Sequence, residues 1–297
     1  MSENIVIFGL GVSGRALYRM LGNKNIIAFI ENNKSLDGTY FKGTPIFHIS
    51  KLKELNFDKI ALSGVWINSM LKQLKDEYNI PEEKILQIAD NEVEFSSLLR
   101  SEMTDTIMEN IYKITLKLNQ NCYVIGSSLA TLFRKKDLAC VADVDTFLTS
   151  QNDAQDFYEE LLREEFFKDL KIDKILYDKD EVFVKKDDIK KIVIQSICDR
   201  TVDEPAIVDV SIADDCGENY FVRHGENYIY IPKNFCDGYR YIDYKNIKVQ
   251  IPKYAEDYLD LLYGKGWIIP PKKWDQSDYG NLMTEQEALI YKVKNNG

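Results

Sequence analysis

Residues 5–8, Ile-Val-Ile-Phe, form an unbroken apolar, largely β-branched run. Gly9-Leu10-Gly11-Val12-Ser13-Gly14 separates it from Ala16, Leu17, Met20 and Leu21, which recur at helical spacing. This pattern predicts strand, tight turn and helix. Further strands are predicted over residues 26–30, ending in Glu31-Asn32-Asn33, and over residues 59–62, running into Ser63-Gly64. That order suits a βαβ unit in a small parallel sheet. Ile80-Pro81-Glu82-Glu83-Lys84-Ile85-Leu86 adds a proline-initiated turn and a last short strand, after which the pattern becomes charged and helical. A boundary near residue 90 follows, dividing the chain into a Rossmann-like domain over residues 1–90 and a second domain over residues 91–297.

Ile107, Ile111, Ile114 and Leu118 recur at intervals of three and four and mark one face of a helix over residues 103–119. A short strand over residues 122–125 then meets Gly126-Ser127-Ser128 and a helix carrying Leu129, Leu132 and Phe133. A strand is predicted over residues 144–148, then a helix with Phe157, Leu161 and Leu162. Further strands are expected near residues 174–177, 182–185, 192–197 and 206–212, and an amphipathic helix over residues 254–263. Helices among neighbouring strands imply a mixed sheet covered on one side, an α/β or α+β domain. Neither internal repeats nor low-complexity stretches are present.

Composition narrows the classes of function. A net charge of -10 argues against a broad basic surface for nucleic acid or anionic lipid. No segment reads as a signal peptide or as a membrane span, so the expected location is cytoplasmic. Five cysteines without a CxxC pair, with only two histidines to join them, make zinc improbable and free core thiols the expectation. The same shortage of histidine weakens any Ser-His-Asp or Cys-His proposal. Catalysis would have to rest on carboxylates and metal.

Gly9, Gly11 and Gly14 fit GxGxxG between a strand and a helix, where backbone N–H groups can approach a pyrophosphate, and Glu31 stands where it could accept from a ribose. Two readings stay open: a bound nucleotide or nucleotide-sugar, and a structural or regulatory domain that has kept only the turn. About 90 residues is roughly half a two-lobed dinucleotide fold, which favours the second.

Asp143 and Asp145 flank Val144, and residues i and i+2 of a strand share a face, so both carboxylates can hold Mg2+ or Mn2+. Asp209, the one acidic residue inside the β-rich run 206–212, is the candidate third ligand. Gly126, Ser127 and Ser128, opening a helix, can offer N–H groups and a hydroxyl to phosphate oxygens, and Arg134 late on that helix could stabilise a moving phosphoryl group. Metal would align attacker and leaving group while an aspartate takes the proton of an incoming hydroxyl.

These blocks resemble the LicD family of phosphotransferases, within the nucleotidyltransferase superfamily, over about residues 103 to 275. The likeness is carried by the run from Tyr123-Val124-Ile125-Gly126-Ser127-Ser128 to Arg134, by Ala142-Asp143-Val144-Asp145, and by Val249-Gln250-Ile251-Pro252. It continues through Tyr258 to Gly264 and closes on Trp267-Ile268-Ile269-Pro270-Pro271. The family's usual second glycine after the turn is Ala130 here, and its fuller acidic run is reduced to Ala142-Asp143-Val144-Asp145. The resemblance implies transfer of a phospho-alcohol, such as phosphocholine or a polyol phosphate, from a CDP-linked donor to a sugar of a surface glycan, with CMP leaving. The first domain resembles, more loosely, small Rossmann-like domains appended to sugar-modifying and capsule enzymes.

Tyr258, Leu261, Tyr263 and Trp267 are read as packing the C-terminal helix over the sheet, and Lys272, Lys273 and Trp274 as a solvated basic turn. Two other functions remain: a nucleotidylyltransferase releasing pyrophosphate from an NTP, served by the same aspartates, and a non-catalytic nucleotide-sensing module. An NAD-dependent oxidoreductase is disfavoured by the half-size first domain. The expected partners are a nucleotide-linked donor and a glycan acceptor, with the oligomeric state left open.

Overall fold

The computed structural model describes residues 3–22, 24–64, 66–88, 93, 95, 97–196, 205–269 and 278–295. The chain divides into two compact units, one containing Met1–Phe95, the other built on Ser96–Ile197 and Ala206–Gly297. Residues 89–92, around the expected boundary, lie outside the described residues, as do Cys198, Pro270, Pro271, Lys272, Lys273 and Trp274.

The first unit runs β1 (Asn4–Phe8), α1 (Val12–Met20), β2 (Asn25–Glu31), β3 (Tyr40–Phe41), β4 (Thr44–His48), β5 (Lys59–Leu62), α2 (Ile67–Lys72) and β6 (Ile85–Gln87). Its sheet has the order β3-β4-β2-β1-β5-β6, and β4, β2, β1, β5 and β6 are parallel. Strand order reverses at β1, so the glycine turn after β1 lies at the topological switch point. Val6, Phe8, Ala28, Ile30, Ile60 and Leu62 are buried in its core, as continuous apolar runs in a parallel sheet require. The strand β4 was not anticipated, because Pro45 and the polar ends of Thr44–His48 break its pattern.

The second unit opens with α3 (Leu98–Leu118), β7 (Cys122–Val124), α4 (Gly126–Lys135), β8 (Val144–Leu148), α5 (Gln151–Arg163), β9 (Leu170–Leu176), β10 (Ile189–Ser196) and β11 (Ile207–Ile212). It continues through β12 (Asp214–Cys216), β13 (Asn219–His224), β14 (Asn227–Pro232), β15 (Tyr239–Tyr244), β16 (Ile247–Pro252), α6 (Ala255–Tyr263), β17 (Leu282–Met283) and α7 (Glu285–Asn295). Its main sheet, β7-β8-β11-β10-β9, is mixed: only β8 and β11 are parallel. The helices α3 and α5 pack against one another and over β8, β10 and β11. Val144, Val208, Val210, Ile192 and Ile194 are buried in the main core.

The architecture is therefore α/β: a small Rossmann-like parallel sheet, followed by a unit with a mixed sheet covered by helices. Among the described residues no helix is long and apolar enough to cross a membrane. Among the described residues, Cys122, Cys140, Cys216 and Cys236 are not joined in disulfides.

Residues 182–185 are not a strand. Their apolar alternation is met by burying Val182 and packing Phe183 into a small cluster with Phe221 and Tyr228. The backbone there turns on itself, with Glu181 N–H donating to the Val184 carbonyl at 3.1 Å. The helix α7 was missed although its start carries a capping box: Thr284 N–H donates to the Glu287 carboxylate, and Glu287 N–H to the Thr284 hydroxyl.

Gly9 has φ +91° and its N–H donates to the Ile30 carbonyl, and a Cβ at Gly14 would stand 1.9 Å from the Gly9 carbonyl oxygen. Gly14→Ala is accordingly expected to lower stability in urea unfolding by about 2 kcal/mol or more, since backbone cannot yield as a side chain can. Gly11→Ala, whose Cβ would meet nothing within 4 Å, should cost no more than about 1 kcal/mol as an altered helix cap. Equal losses in the two variants would refute the close-approach account.

Candidate metal centre

Asp145 and Asp209 are direct neighbours across the parallel pair β8 and β11, in register with one another. The Thr146 hydroxyl donates to the Asp209 carbonyl at 3.2 Å and helps lock that register. Asp143 lies two residues before Asp145, in the bend that leads into β8. Each of the three aspartates places a carboxylate oxygen within 4.8 Å of the other two. The structure thus brings together the three residues expected to share a metal. Asp209 is buried, whereas Asp143 and Asp145 are half-buried.

Packing such charges together has an electrostatic consequence. Burial holds the Asp145 carboxyl well above the usual carboxylate range, the negative charges of Asp143 and Asp209 push the same way, and the Lys191 ammonium opposes them. Lys191, on β10, makes an ion pair with Asp209 Oδ2. Sequence reasoning missed it. Lys190 and Lys191 look like two charges on the solvated side of a strand, and only the register of β10 against β11 sets Lys191 beside the aspartates.

The turn Gly126-Ser127-Ser128 abuts the cluster. Gly126 opens α4 at φ +58°, and a Cβ there would lie 3.7 Å from Asp145 Oδ2. Ile125 N–H donates to the Asp145 carbonyl at 3.0 Å. The two serines differ in role. Ser128 is buried, its hydroxyl accepting from Asp145 N–H at 2.8 Å and donating to the Asp143 carbonyl at 3.3 Å, so it clamps the acidic segment to α4. Ser127 is exposed.

Three further residues hold the arrangement: Arg100 and Tyr244, which were not singled out from sequence, and Tyr258, which was read there only as a packing residue. Arg100, on α3 and only 2% exposed, donates to the carbonyls of Ala139, Val141 and Ala142 and so fixes the loop that delivers Asp143. The Tyr244 hydroxyl accepts from Leu138 N–H at 3.2 Å and donates to Asp105 at 2.5 Å. The Tyr258 hydroxyl, buried near Asp145, accepts from the Gly126 N–H. Tyr258 and Trp267 are buried in the main core and Tyr263 packs against it, as expected of a helix laid over the sheet.

Arg134 stands in the last turn of α4. It lies eight residues beyond Gly126, about 12 Å along the helix axis. Its guanidinium donates to the Trp267 carbonyl and lies 6.0 Å from the Trp267 ring. The cation beside the aspartates is Lys191. In the first unit, Glu31 does reach the glycine turn, but its carboxylate accepts from Leu10 N–H, which ties the turn together instead of leaving that oxygen for a ribose.

The model of a family described as C2185-like, N-terminal, matches residues 1–86. No curated protein is matched. Solved structures that resemble the chain include the lincosamide antibiotic adenylyltransferase LnuA with lincomycin bound, at 11% identity and TM-score 0.33, covering 62% of this chain and 92% of that one. An antigenic nucleotidyltransferase-like protein from Paracoccidioides brasiliensis has 11% identity and TM-score 0.33, covering 65% and 77%. UDP-D-quinovosamine 4-dehydrogenase from Vibrio fischeri has 20% identity and TM-score 0.25, covering 30% and 78%. These values describe coarse similarity of shape and say nothing about chemistry.

Because the native Asp145 carboxyl holds its proton more tightly than the unfolded one, the folded state binds more protons, and stability falls as pH rises through the native titration. With EDTA present, Asp145→Asn should therefore be more stable than the parent at pH 8, and the gap should close below about pH 4, where the unfolded carboxylate is also protonated. Thermal melts across pH check this, and a variant less stable at pH 8 would contradict it. Arg100→Met should destabilise the protein by about 3 kcal/mol through three stranded carbonyls, and Arg100→Lys should recover less than half of that, one ammonium being unable to span them.

Proposed function

We propose that the second unit is a metal-dependent phosphotransferase in which Asp143, Asp145 and Asp209 hold Mg2+ or Mn2+ and a nucleotide-linked molecule is the donor. The observation that carries this reading is the convergence of three carboxylates, two of them in register on parallel strands, beside the N-terminus of α4. An all-carboxylate donor set with no histidine or thiol suits a hard divalent cation. Such an ion, when bound, would offset charge on a phosphoryl oxygen and on a leaving phosphate. Exposed Ser127 and the first turn of α4 would meet the anionic part of a substrate, where the helix end favours negative charge.

The resemblance to the LicD family supports a finer assignment. The alcohol phosphate of a CDP-alcohol passes to a sugar hydroxyl of a surface glycan or its precursor. The sugar oxygen forms a bond to the phosphorus that bears the alcohol, and the bond from that phosphorus to the pyrophosphate bridging oxygen breaks. CMP departs with the bridging oxygen, and the hydroxyl proton passes to an aspartate. Arg134, engaged by Trp267, is assigned no part in the transfer.

Incubation with CDP-alcohols, NTPs and sugar acceptors in the presence of Mg2+ tests the reading. CMP release from one CDP-alcohol is expected, reduced about a thousandfold in Asp143→Ala and Asp209→Ala through loss of roughly 4 kcal/mol of charge stabilisation. Pyrophosphate release from an NTP would assign a nucleotidylyltransferase instead. Silence of the folded protein with every donor would leave the nucleotide-sensing alternative.

A further inference from the structure

We infer that Lys191 is a fourth member of the acidic centre and restricts it to a single divalent cation, its ammonium standing where a two-ion centre would seat the second ion. The inference rests on the metal-binding reading above and extends it to ion number.

Register accounts for Lys191's position. On the antiparallel pair β10 and β11, Val193 faces Asp209 and Lys191 faces Ser211. Residues two apart on a strand share a face, so Lys191 reaches Asp209 across the diagonal. The ammonium contacts Asp209 Oδ2, with the lysine side chain 33% exposed and the aspartate side chain 11% exposed. The pair is thus shielded on the aspartate side and open on the lysine side.

Charge and geometry then limit the occupancy. Three carboxylates and one ammonium leave two negative charges, which one divalent cation neutralises. Oxygens within 4.8 Å of one another need only a small side-chain adjustment to come inside the roughly 4.2 Å that two Mg2+–oxygen bonds span. Two-ion centres hold their metals about 3.5–4 Å apart and need carboxylates that offer both oxygens. At Asp209 one oxygen is already taken by Lys191, and a second dication there would sit against a fixed positive charge. With one ion bound, the same lysine adds a cation facing the open side, where a substrate phosphate would lie.

Mn2+ titration of the full-length protein, with free Mn2+ read by electron paramagnetic resonance and no substrate present, decides the matter. One tight Mn2+ per chain is expected for the parent and for Lys191→Arg, and two for Lys191→Met and Lys191→Gln, with circular dichroism confirming that the variants fold. Asp145→Asn should abolish the tight site and so locate it. Two ions in the parent, or one in both neutral variants, would overturn the inference and leave the metal-binding reading standing. Absence of Mn2+ binding in every protein would remove the metal-binding reading and this inference together.

Discussion

The side-by-side placement of Asp145 and Asp209 on the parallel strands β8 and β11 is the constraint on which the second unit's chemistry depends. Because side chains alternate along a strand, a slip of one residue would turn one carboxylate to the opposite face and dissolve the cluster. The Thr146 hydroxyl bonded to the Asp209 carbonyl opposes that slip at the same level of the ladder. Val144, Val208 and Val210, buried in the core on either side of the pair, oppose it through burial.

Bringing carboxylates into a half-buried site is unfavourable unless opposite charge accompanies them. The raised Asp145 carboxyl records that tension, and Lys191 relieves part of it. Much of the surrounding structure keeps the repelling groups in place. Arg100 fixes the loop before Asp143 from below, and Ser128 binds the backbone of both Asp143 and Asp145. Gly126 opens α4 in the left-handed region, which glycine adopts without the strain a side chain would bring. These bonds of Arg100 and Ser128 go to backbone carbonyls and to an N–H group.

In the first unit an equally local constraint operates. The glycine turn is shaped by the contact of Gly14 with the Gly9 carbonyl and by Glu31 accepting from Leu10 N–H. These contacts explain Gly9, Gly14 and Glu31 as parts of one compact turn.

The sequence alone determined the elements whose signal is local. The strands at Lys59–Leu62 and Val144–Leu148 and the helix over the Ile107, Ile111 and Ile114 stripe were legible because apolar periodicity reports which face is buried. Asp145 and Asp209 were legible as acidic residues embedded in apolar strands, where a charge has no packing reason to be, and Asp143 by its spacing of two from Asp145. Residues 182–185 misled because alternation signals burial and not a hydrogen-bonded ladder. Lys191, Arg100 and the Tyr258 hydroxyl were hidden for a different reason. A lysine among lysines, an arginine in an amphipathic helix and a core tyrosine carry no local mark of their partners, which lie 18, 39 and 132 residues away at Asp209, Ala139 and Gly126. Strand register, helix packing and burial made those meetings, and they are properties of the folded chain alone.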